Sequence, residues 1–309
     1  MPKHDLDTIV FSSILKKHNL GELISVKEIA TGLINPVYLL NNNLILRIDL
    51  EKYENPDKFK REAILYKILP KFKIPTPDLI AFDDTKDLLD TPYMLISYIL
   101  GENLLQTFTK LTPTQQKEIS FQLGQIAKQI HSLKPNDIGH EDLFSDIDSW
   151  AKWTMDDFET QWKLVINTDF LSKVEKDEIS VLYEKFKKLN LSDKGRLAHG
   201  DFSAGNIQIN DGKIVGVFDF EFSFIADPFW DLQKLPISYQ LGNNFDQKEF
   251  LKGYGGKHFN DDEKMRFRMY CFMQGVWAIW ATLTQHMPLS NEKIQEGVEL
   301  IQNTMKIEM

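Results

Sequence analysis

Three side chains carry the clearest chemical signal in this 309-residue chain: Asp201, Asn206 and Asp219. Asp201 and Asn206 lie five residues apart in Ala198-His199-Gly200-Asp201-Phe202-Ser203-Ala204-Gly205-Asn206. Asp219 follows after Ile207-Gln208-Ile209, the polar run Asn210-Asp211-Gly212-Lys213, and the apolar run 214–218. Asp-Gly between two alternating apolar runs is a strong signal for a β-hairpin. Pairing the runs across Asp211-Gly212 sets Asn206 opposite Val217, with Asp219 two residues beyond that partner. Asn206 and Asp219 are therefore expected at the same open end of one hairpin. Both offer oxygen ligands of the kind magnesium takes. Asp201, just upstream, is placed to address the same spot. A carboxylate that accepts a hydroxyl proton, and oxygen ligands for a magnesium ion that neutralises phosphate oxygens, are the parts that phosphoryl transfer needs.

The elements that must position these groups follow from the hydrophobic pattern. Runs at 24–30, 37–40 and 44–48 read as strands, the last two joined by the turn sequence Asn41-Asn42-Asn43. A helix opens near Pro56-Asp57 and carries Phe59, Ala63, Tyr66 and Leu69. Strand-like runs recur near 79–82 and 93–98, and Gly101-Glu102-Asn103 breaks the pattern. Ile119, Leu123, Ile126, Ile130 and Leu133 then alternate steps of four and three, which is one apolar helix face. Further helical patterns cover 147–166 and 176–189, the stretch 196–220 is strand-like, and everything after Asp227 reads as helix, including 261–285 and 291–305. The expected fold class is α+β, with a β-rich lobe over 1–100 and a larger, mainly helical lobe over 101–309.

The net charge of -9 argues against nucleic acid as a partner, because neutralising phosphate needs the opposite sign. It is compatible with a cationic substrate, although plain solubility is the favoured explanation. Cys271 is the single cysteine and sits in an apolar stretch, so no internal disulfide forms and a buried, inert thiol is expected. Residues 1–5 lack a signal-peptide apolar region. The longest apolar stretch, 271–283, is too short to span a bilayer. A cytoplasmic protein without membrane contact is expected, as a monomer or homodimer.

His199-Gly200-Asp201 with Asn206, then Asp219-Phe220-Glu221, then Asp227-Pro228 and Asp231-Leu232, resembles the aminoglycoside phosphotransferase and choline kinase family. The Asp201-to-Asn206 spacing also matches the catalytic loop of protein kinases. Those enzymes dock a peptide on a long segment that ends in Ala-Pro-Glu. Here Asp227-Pro228 comes within eight or so residues of Asp219 and no Ala-Pro-Glu follows, so a small-molecule acceptor is favoured.

The resemblance implies a bilobal, protein-kinase-like fold with an antiparallel N-terminal sheet, ATP and magnesium as cofactors, and a set of roles. Asp201 is the catalytic base, and Asn206 and Asp219 hold the metal. Arg47, where lysine is more usual, steadies the phosphates and pairs with Glu62; arginine is forked and bulkier, so the exchange is not neutral. Gly32, in Thr31-Gly32-Leu33-Ile34-Asn35, sits where a phosphate loop belongs. That loop has one glycine and no G-x-G-x-x-G, so a plain hairpin turn is the alternative. The backbone of Ser97, Tyr98 and Ile99 is placed to bind adenine. His199 and Asp231 support the catalytic loop, and Glu221 is near enough in sequence to reach the metal region. The implied acceptor is a hydroxyl-bearing small molecule. Asp156, Asp157 and Glu159, with Trp153, Trp162, Trp277 and Trp280, are candidates to hold a cation or sugar, against the plainer alternative of a solvated acidic face and core tryptophans. An aminoglycoside or similar antibiotic, with a role in resistance, comes first. An amino-alcohol, amino acid or sugar of the choline, ethanolamine or homoserine kind is the alternative, and a non-catalytic pseudokinase the third reading.

Overall fold

The computed structural model describes residues 7–306 apart from 32–34, 51–56, 141–142, 145, 234–240, 242–243, 257–258 and 286–290. The chain divides into two compact units: Met1–Glu102 with Gln208–Asn210 and Val215–Glu221, and Asn103–Ile207 with Asp211–Ile214 and Phe222–Met309.

The first unit opens with a helix that the strand pattern did not announce, α1 (Thr8–Lys17). Asp7 caps it by accepting from the Ile9 N–H, and Lys16 and Lys17 complement the dipole at its end. Its residues Phe11, Ile14 and Leu15 fall on one face and are buried. Five strands follow in chain order, with helix α2 (Lys58–Ile68) between the third and fourth: β1 (Val26–Thr31), β2 (Pro36–Leu40), β3 (Leu44–Ile48), β4 (Leu79–Asp83) and β5 (Tyr93–Ser97). They form one sheet in the order β1-β2-β3-β5-β4, with every neighbouring pair antiparallel. The β2–β3 turn works because Asn41 and Asn42 accept left-handed backbone, φ 51° and 58°.

Every residue of β3 is buried. Strand alternation splits the residues by face. Leu44, Leu46 and Ile48 join the core built with Phe11, Ile14 and Leu15 of α1, Tyr38 and Leu40 of β2, and Tyr93 and Leu95 of β5. Each such side chain contributes roughly 1.5–3 kcal/mol on full burial. The alternate residue Arg47 turns the other way and meets α2, lying 5.2 Å over the Phe59 ring.

The second unit begins in β6 (Glu102–Asn103) and is mostly helical. Its helices are α3 (Leu104–Thr107), α4 (Pro113–Ile130), α5 (Pro135–Ile138), α6 (Ile147–Val165), α7 (Lys173–Phe186), α8 (Phe229–Leu232), α9 (Gln247–Gly253), α10 (Asp261–Leu283) and α11 (Glu292–Met305). Helix α4 starts in a Thr112/Gln115 capping box and buries Ile119, Leu123, Ile126 and Ile130, the face read from the sequence. Helix α7 starts three residues earlier than the apolar pattern suggests, because Ser172 and Glu175 form a capping box at its true N-terminus. The stretch 196–220 resolves into β7 (Arg196–Ala198), β8 (Ile207–Asn210) and β9 (Lys213–Val217), with a short 3-10 turn at Ala204–Asn206. β10 (Phe224–Ala226) pairs antiparallel with β7. Asp211 and Gly212 take φ 48° and 72°, the backbone of a type I′ turn.

Helix α10 is the centre of this unit. It buries residues on all sides, including Phe267, Met269, Tyr270, Cys271, Phe272, Val276 and Ile279. Burial raises the Cys271 thiol far above its ordinary pKa, which fits an inert core residue. The helix is tied to the Asp227-Pro228 segment by a buried ion pair: Arg266 Nη1 donates to both oxygens of Asp227 at 2.6 Å, and the Tyr270 hydroxyl adds a bond at 2.9 Å. No helix among the described residues is long and apolar enough to cross a membrane.

Helix α1 is pinned to the sheet by polar as well as apolar contacts. Lys17 Nζ lies 2.5 Å from Asp83 Oδ2, and Asp83 also accepts from Thr85 and from the Tyr93 hydroxyl. Burial alone would raise the Asp83 pKa, but these donors outweigh it and hold the carboxyl well below the usual range. A depressed carboxylate contributes stability that is present above its unfolded pKa and lost as pH falls through the folded one. Asp83→Asn should therefore lower the urea midpoint near neutral pH. Its gap to the wild type should close progressively in acid, below the ordinary 3.8; a gap that persists unchanged in strong acid would contradict the assignment.

Candidate active site

The first unit gathers Arg47, Glu62, Tyr66, Asp219 and Glu221 around one buried cation. Arg47 reaches across from β3 and donates through Nη1 to Glu62 Oε1 and through Nη2 to Asp219 Oδ1, the latter at 2.7 Å. Glu221 Oε2 lies 3.8 Å from the same Nη2. Glu221 is held in turn by Asn35, whose amide Nδ2 donates to Oε2 at 3.0 Å. Glu62 faces Arg47 because α2 presents Lys58, Glu62 and Tyr66 four residues apart, on one buried face. On the same face Lys58 lies 2.9 Å from Asp49, so two ion pairs of opposite sense join the end of β3 to α2.

The charge balance is uneven. Burial works against the charge on Arg47, but Glu62, Asp219 and Glu221 together hold it protonated well above the ordinary range. Burial, opposed by Arg47, still leaves Glu62 raised. Burial and the neighbouring Asp219 push Glu221 up to about 8. Glu62, Asp219 and Glu221 each offer an oxygen within 4.8 Å of the others. Glu62 Oε2 is buried and has no hydrogen-bond partner among the described residues. A compact set of hard oxygen donors with excess negative charge fits a magnesium ion.

The second unit holds the other half of the motif. Asn206 Nδ2 donates to both the carbonyl oxygen and Oδ2 of Asp201, each at 2.9 Å. This holds the Asp201 side chain through the Asn206 amide nitrogen and leaves the Asn206 oxygen Oδ1 out of that contact. The loop itself hangs on Asp231. Its Oδ2 accepts from the His199 N–H at 2.7 Å, and Oδ1 from the Gly200 N–H at 2.9 Å. His131 Nε2 lies 3.0 Å from Oδ2, and His131 Nδ1 lies 3.0 Å from the Tyr254 hydroxyl. Burial would raise the Asp231 pKa, yet His131 and the backbone N–H groups bring it below its usual value. His199 Nδ1 accepts from the Asp201 N–H at 3.2 Å. Gly200 is obligatory: φ is 82°, and a Cβ there would lie 2.1 Å from the Phe222 carbonyl oxygen.

The structure thus brings Arg47, Glu62 and Asp219 together in one unit, and His199, Asp201, Asn206 and Asp231 together in the other. Sequence reading missed Tyr66, His131 and Asn35. Tyr66 carried a signal, since it repeats the Glu62 position one helical turn on, but it read as an apolar face residue. Gly32 lies outside the described residues. At 97–99 two of the three N–H groups are engaged: Ser97 N–H donates to Asp78 O and Tyr98 N–H to Asn43 O, both at 2.9 Å. For the Ile99 N–H no backbone partner is found among the described residues.

The acidic face of α6 has partners within its own unit. Asp156 pairs with Lys152 at 2.6 Å, Asp157 accepts from Gln161 at 2.6 Å, and Glu159 accepts from the Tyr183 hydroxyl at 2.9 Å. Trp153 is exposed, whereas Trp162, Trp277 and Trp280 are half-buried.

Removing one partner of a buried ion pair leaves the other uncompensated, at a cost of about 3–5 kcal/mol. Arg47→Ala should show a loss of that order in urea denaturation. Glu62 would then take up a proton on folding, so the deficit should be smaller in mild acid than in mild alkali. A loss that does not vary with pH would mean that Glu62 does not depend on Arg47.

The model of the family described as "Phosphotransferase enzyme family" matches residues 25–268. The mouse protein Acyl-CoA dehydrogenase family member 10 is 24% identical over 285 residues, covering 85% of this chain; the chain spans about a quarter (25%) of that relative's length. Among solved structures, the GDP and kanamycin complex of APH(2")-IIia superposes with a TM-score of 0.73 at 16% identity, over 98% of this chain and 100% of that one. The streptomycin-ATP-APH(2")-IIa ternary complex gives 0.65 at 21%, over 98% and 97%. A choline/ethanolamine kinase family protein from Mesorhizobium loti gives 0.66 at 18%, over 97% and 96%. These likenesses identify a kinase-like fold, and the family match extends over most of the sequence, including every element that carries Arg47, Glu62, Asp201, Asn206 and Asp219: the chain belongs to the phosphotransferase enzyme family.

Proposed function

We propose that this phosphotransferase moves the γ-phosphoryl group of ATP onto a hydroxyl of a small molecule. The observation that carries it is the pairing of Arg47 with both Glu62 and Asp219, a buried cation among oxygen donors suited to a nucleotide and its metal. The nucleotide complexes among the similar structures support it.

Asp201 is the base. Its carboxylate is oriented by Asn206, and it accepts the proton of the acceptor hydroxyl as that oxygen attacks the γ-phosphorus, while the bond from the γ-phosphorus to the bridging oxygen of ADP breaks and ADP leaves with that electron pair. Arg47 neutralises phosphate charge, and the Ile99 N–H, with its neighbours at 97 and 98 engaged in the sheet, is the backbone donor for the base of the nucleotide. Asn206 and Asp219 are the residues that would hold magnesium, each through a side-chain oxygen. Bound magnesium would screen the phosphate oxygens and so lower the charge that the acceptor oxygen approaches. His199 and Asp231 keep the Asp201 loop in shape without touching the reacting atoms. The rate gain comes mainly from positioning and charge neutralisation.

An aminoglycoside or similar antibiotic is the acceptor we favour, supported by the aminoglycoside complexes among the similar structures. The acids of α6 add little to this, since each is engaged by a neighbour. The likeness to a choline/ethanolamine kinase family protein favours an amino-alcohol as the second reading.

Magnesium-dependent ADP release should be measured against aminoglycosides, other hydroxylated antibiotics, choline, ethanolamine, amino acids and sugars. One class should stimulate turnover strongly; stimulation by amino-alcohols alone would select the second reading, and an absence of ATP binding would overturn the proposal. Asp201→Ala should cost at least about 100-fold in turnover while nucleotide affinity is retained. Wild-type turnover in that variant would remove Asp201 from its role.

A further inference from the structure

Helix α2 does more than supply Glu62. Three of its residues grip three successive residues of the segment that follows β9. The Tyr66 hydroxyl accepts from the Asp219 N–H at 3.2 Å, Glu62 Oε1 accepts from the Phe220 N–H at 3.3 Å, and Arg61 Nη2 donates to the Glu221 carbonyl at 3.2 Å. Of the three, Tyr66 acts on the peptide of Asp219 itself.

That peptide is a special one. Asp219 has φ 66°, a left-handed conformation that is unfavourable for most L-residues and that Asp tolerates better than most. The conformation decides where the carboxylate points, because the Cα–Cβ direction is set by the backbone. The Tyr66 hydroxyl has one proton, and it goes to Glu62 Oε1 at 2.5 Å. Its lone pairs are therefore what faces the Asp219 N–H. Burial, reinforced by Glu62, keeps this phenol protonated far above neutral pH, so the arrangement does not switch under ordinary conditions. The ring is fixed as well: Tyr66 is buried and packs edge-on against Phe220, with centroids 6.1 Å apart at 83°. The chain of contacts runs from Arg47 through Glu62 and Tyr66 to the Asp219 backbone, while Arg47 also holds the Asp219 carboxylate directly.

We infer that Tyr66 is a positioning residue for metal-assisted nucleotide binding: its hydroxyl holds Asp219 in left-handed backbone and so aims the Asp219 carboxylate at the divalent cation that accompanies the nucleotide. This rests on Asp219 being a magnesium ligand. Tyr66 is fully buried, with its hydroxyl between Glu62 and the Asp219 N–H, and its effect passes through Asp219.

The test uses ADP as the probe, titrated calorimetrically with excess magnesium and with EDTA. The ratio of the two dissociation constants measures how strongly the metal helps the nucleotide bind. Tyr66→Phe keeps the ring and removes the hydroxyl. It should shrink that ratio about three- to tenfold, the effect of losing one hydrogen bond, with the EDTA affinity unchanged. A purely structural tyrosine would lower the unfolding temperature and leave the ratio alone. Asp219→Asn, run alongside, should abolish most of the coupling. If Asp219→Asn loses the coupling and Tyr66→Phe keeps it, the role of Tyr66 is overturned while Asp219 stands. If Asp219→Asn keeps it, Asp219 is not a metal ligand and both assignments fall. Amide hydrogen exchange on the wild-type chain is a readout that needs no variant to fold: the Asp219 N–H should be protected, and rapid exchange there would overturn the inference.

Discussion

The charge of Arg47 is the constraint around which the first unit is arranged. A buried guanidinium is costly unless it is both paired and hydrogen-bonded, and a single carboxylate seldom meets that demand. Here its fork reaches Glu62 with one nitrogen and Asp219 with the other, and Glu221 lies close by. Three carboxylates around one cation overshoot, and burial of the excess negative charge is what lifts Glu221 to about 8. The cluster therefore has capacity for a further positive charge. That is the property a magnesium–nucleotide site needs, and it arises from how the apolar sheet and α2 exclude water around the acids.

The second unit solves a different problem, the shaping of a loop with no ladder of its own. Asp231 does this by accepting two consecutive backbone N–H groups, from His199 and Gly200, and by meeting the imidazole of His131. A buried carboxylate with this many donors stays ionised, and each donor is stronger for being charge-assisted. Gly200 lets the chain pass under the Phe222 carbonyl, and Asn206 then fixes Asp201 from the far side of the loop. Asp227, four residues before Asp231, is held by Arg266 and Tyr270 of α10, so the loop support is continuous with the core helix of the unit.

Much of this was legible residue by residue. Alternation located the strands of the sheet, Asp211-Gly212 announced its turn, and the four-three spacing found the buried face of α4. Helix α1 was not announced, because ten residues with Phe11, Ile14 and Leu15 on one face offer too short a period beside a mixed polar sequence. The true start of α7 was hidden for a related reason: its first turn is fixed by the Ser172 and Glu175 cap, which lies outside the apolar repeat. By sequence the α6 acids are candidates to hold a cationic substrate, with a solvated acidic face as the plainer reading. Their partners stand four residues away or on α7, and side-chain pairing of that kind follows from rotamers and helix packing rather than from composition.

The sequence by itself determined the chemical inventory and its local spacing: an aspartate and an asparagine five residues apart, a further aspartate after a tight hairpin, and an arginine within an apolar strand. Those features depend on spacing within one element, which backbone periodicity dictates. Only the tertiary structure decided which charges meet. Arg47 finds Glu62 at a separation of 15 residues and Asp219 at 172, and Tyr66 finds the Asp219 N–H at 153. Such pairings depend on how strand, helix and hairpin pack in three dimensions, and on which groups burial then forces to satisfy one another. Periodicity placed Tyr66 on the buried face of α2; the packed fold turned its hydroxyl toward the backbone of the residue that the motif had singled out.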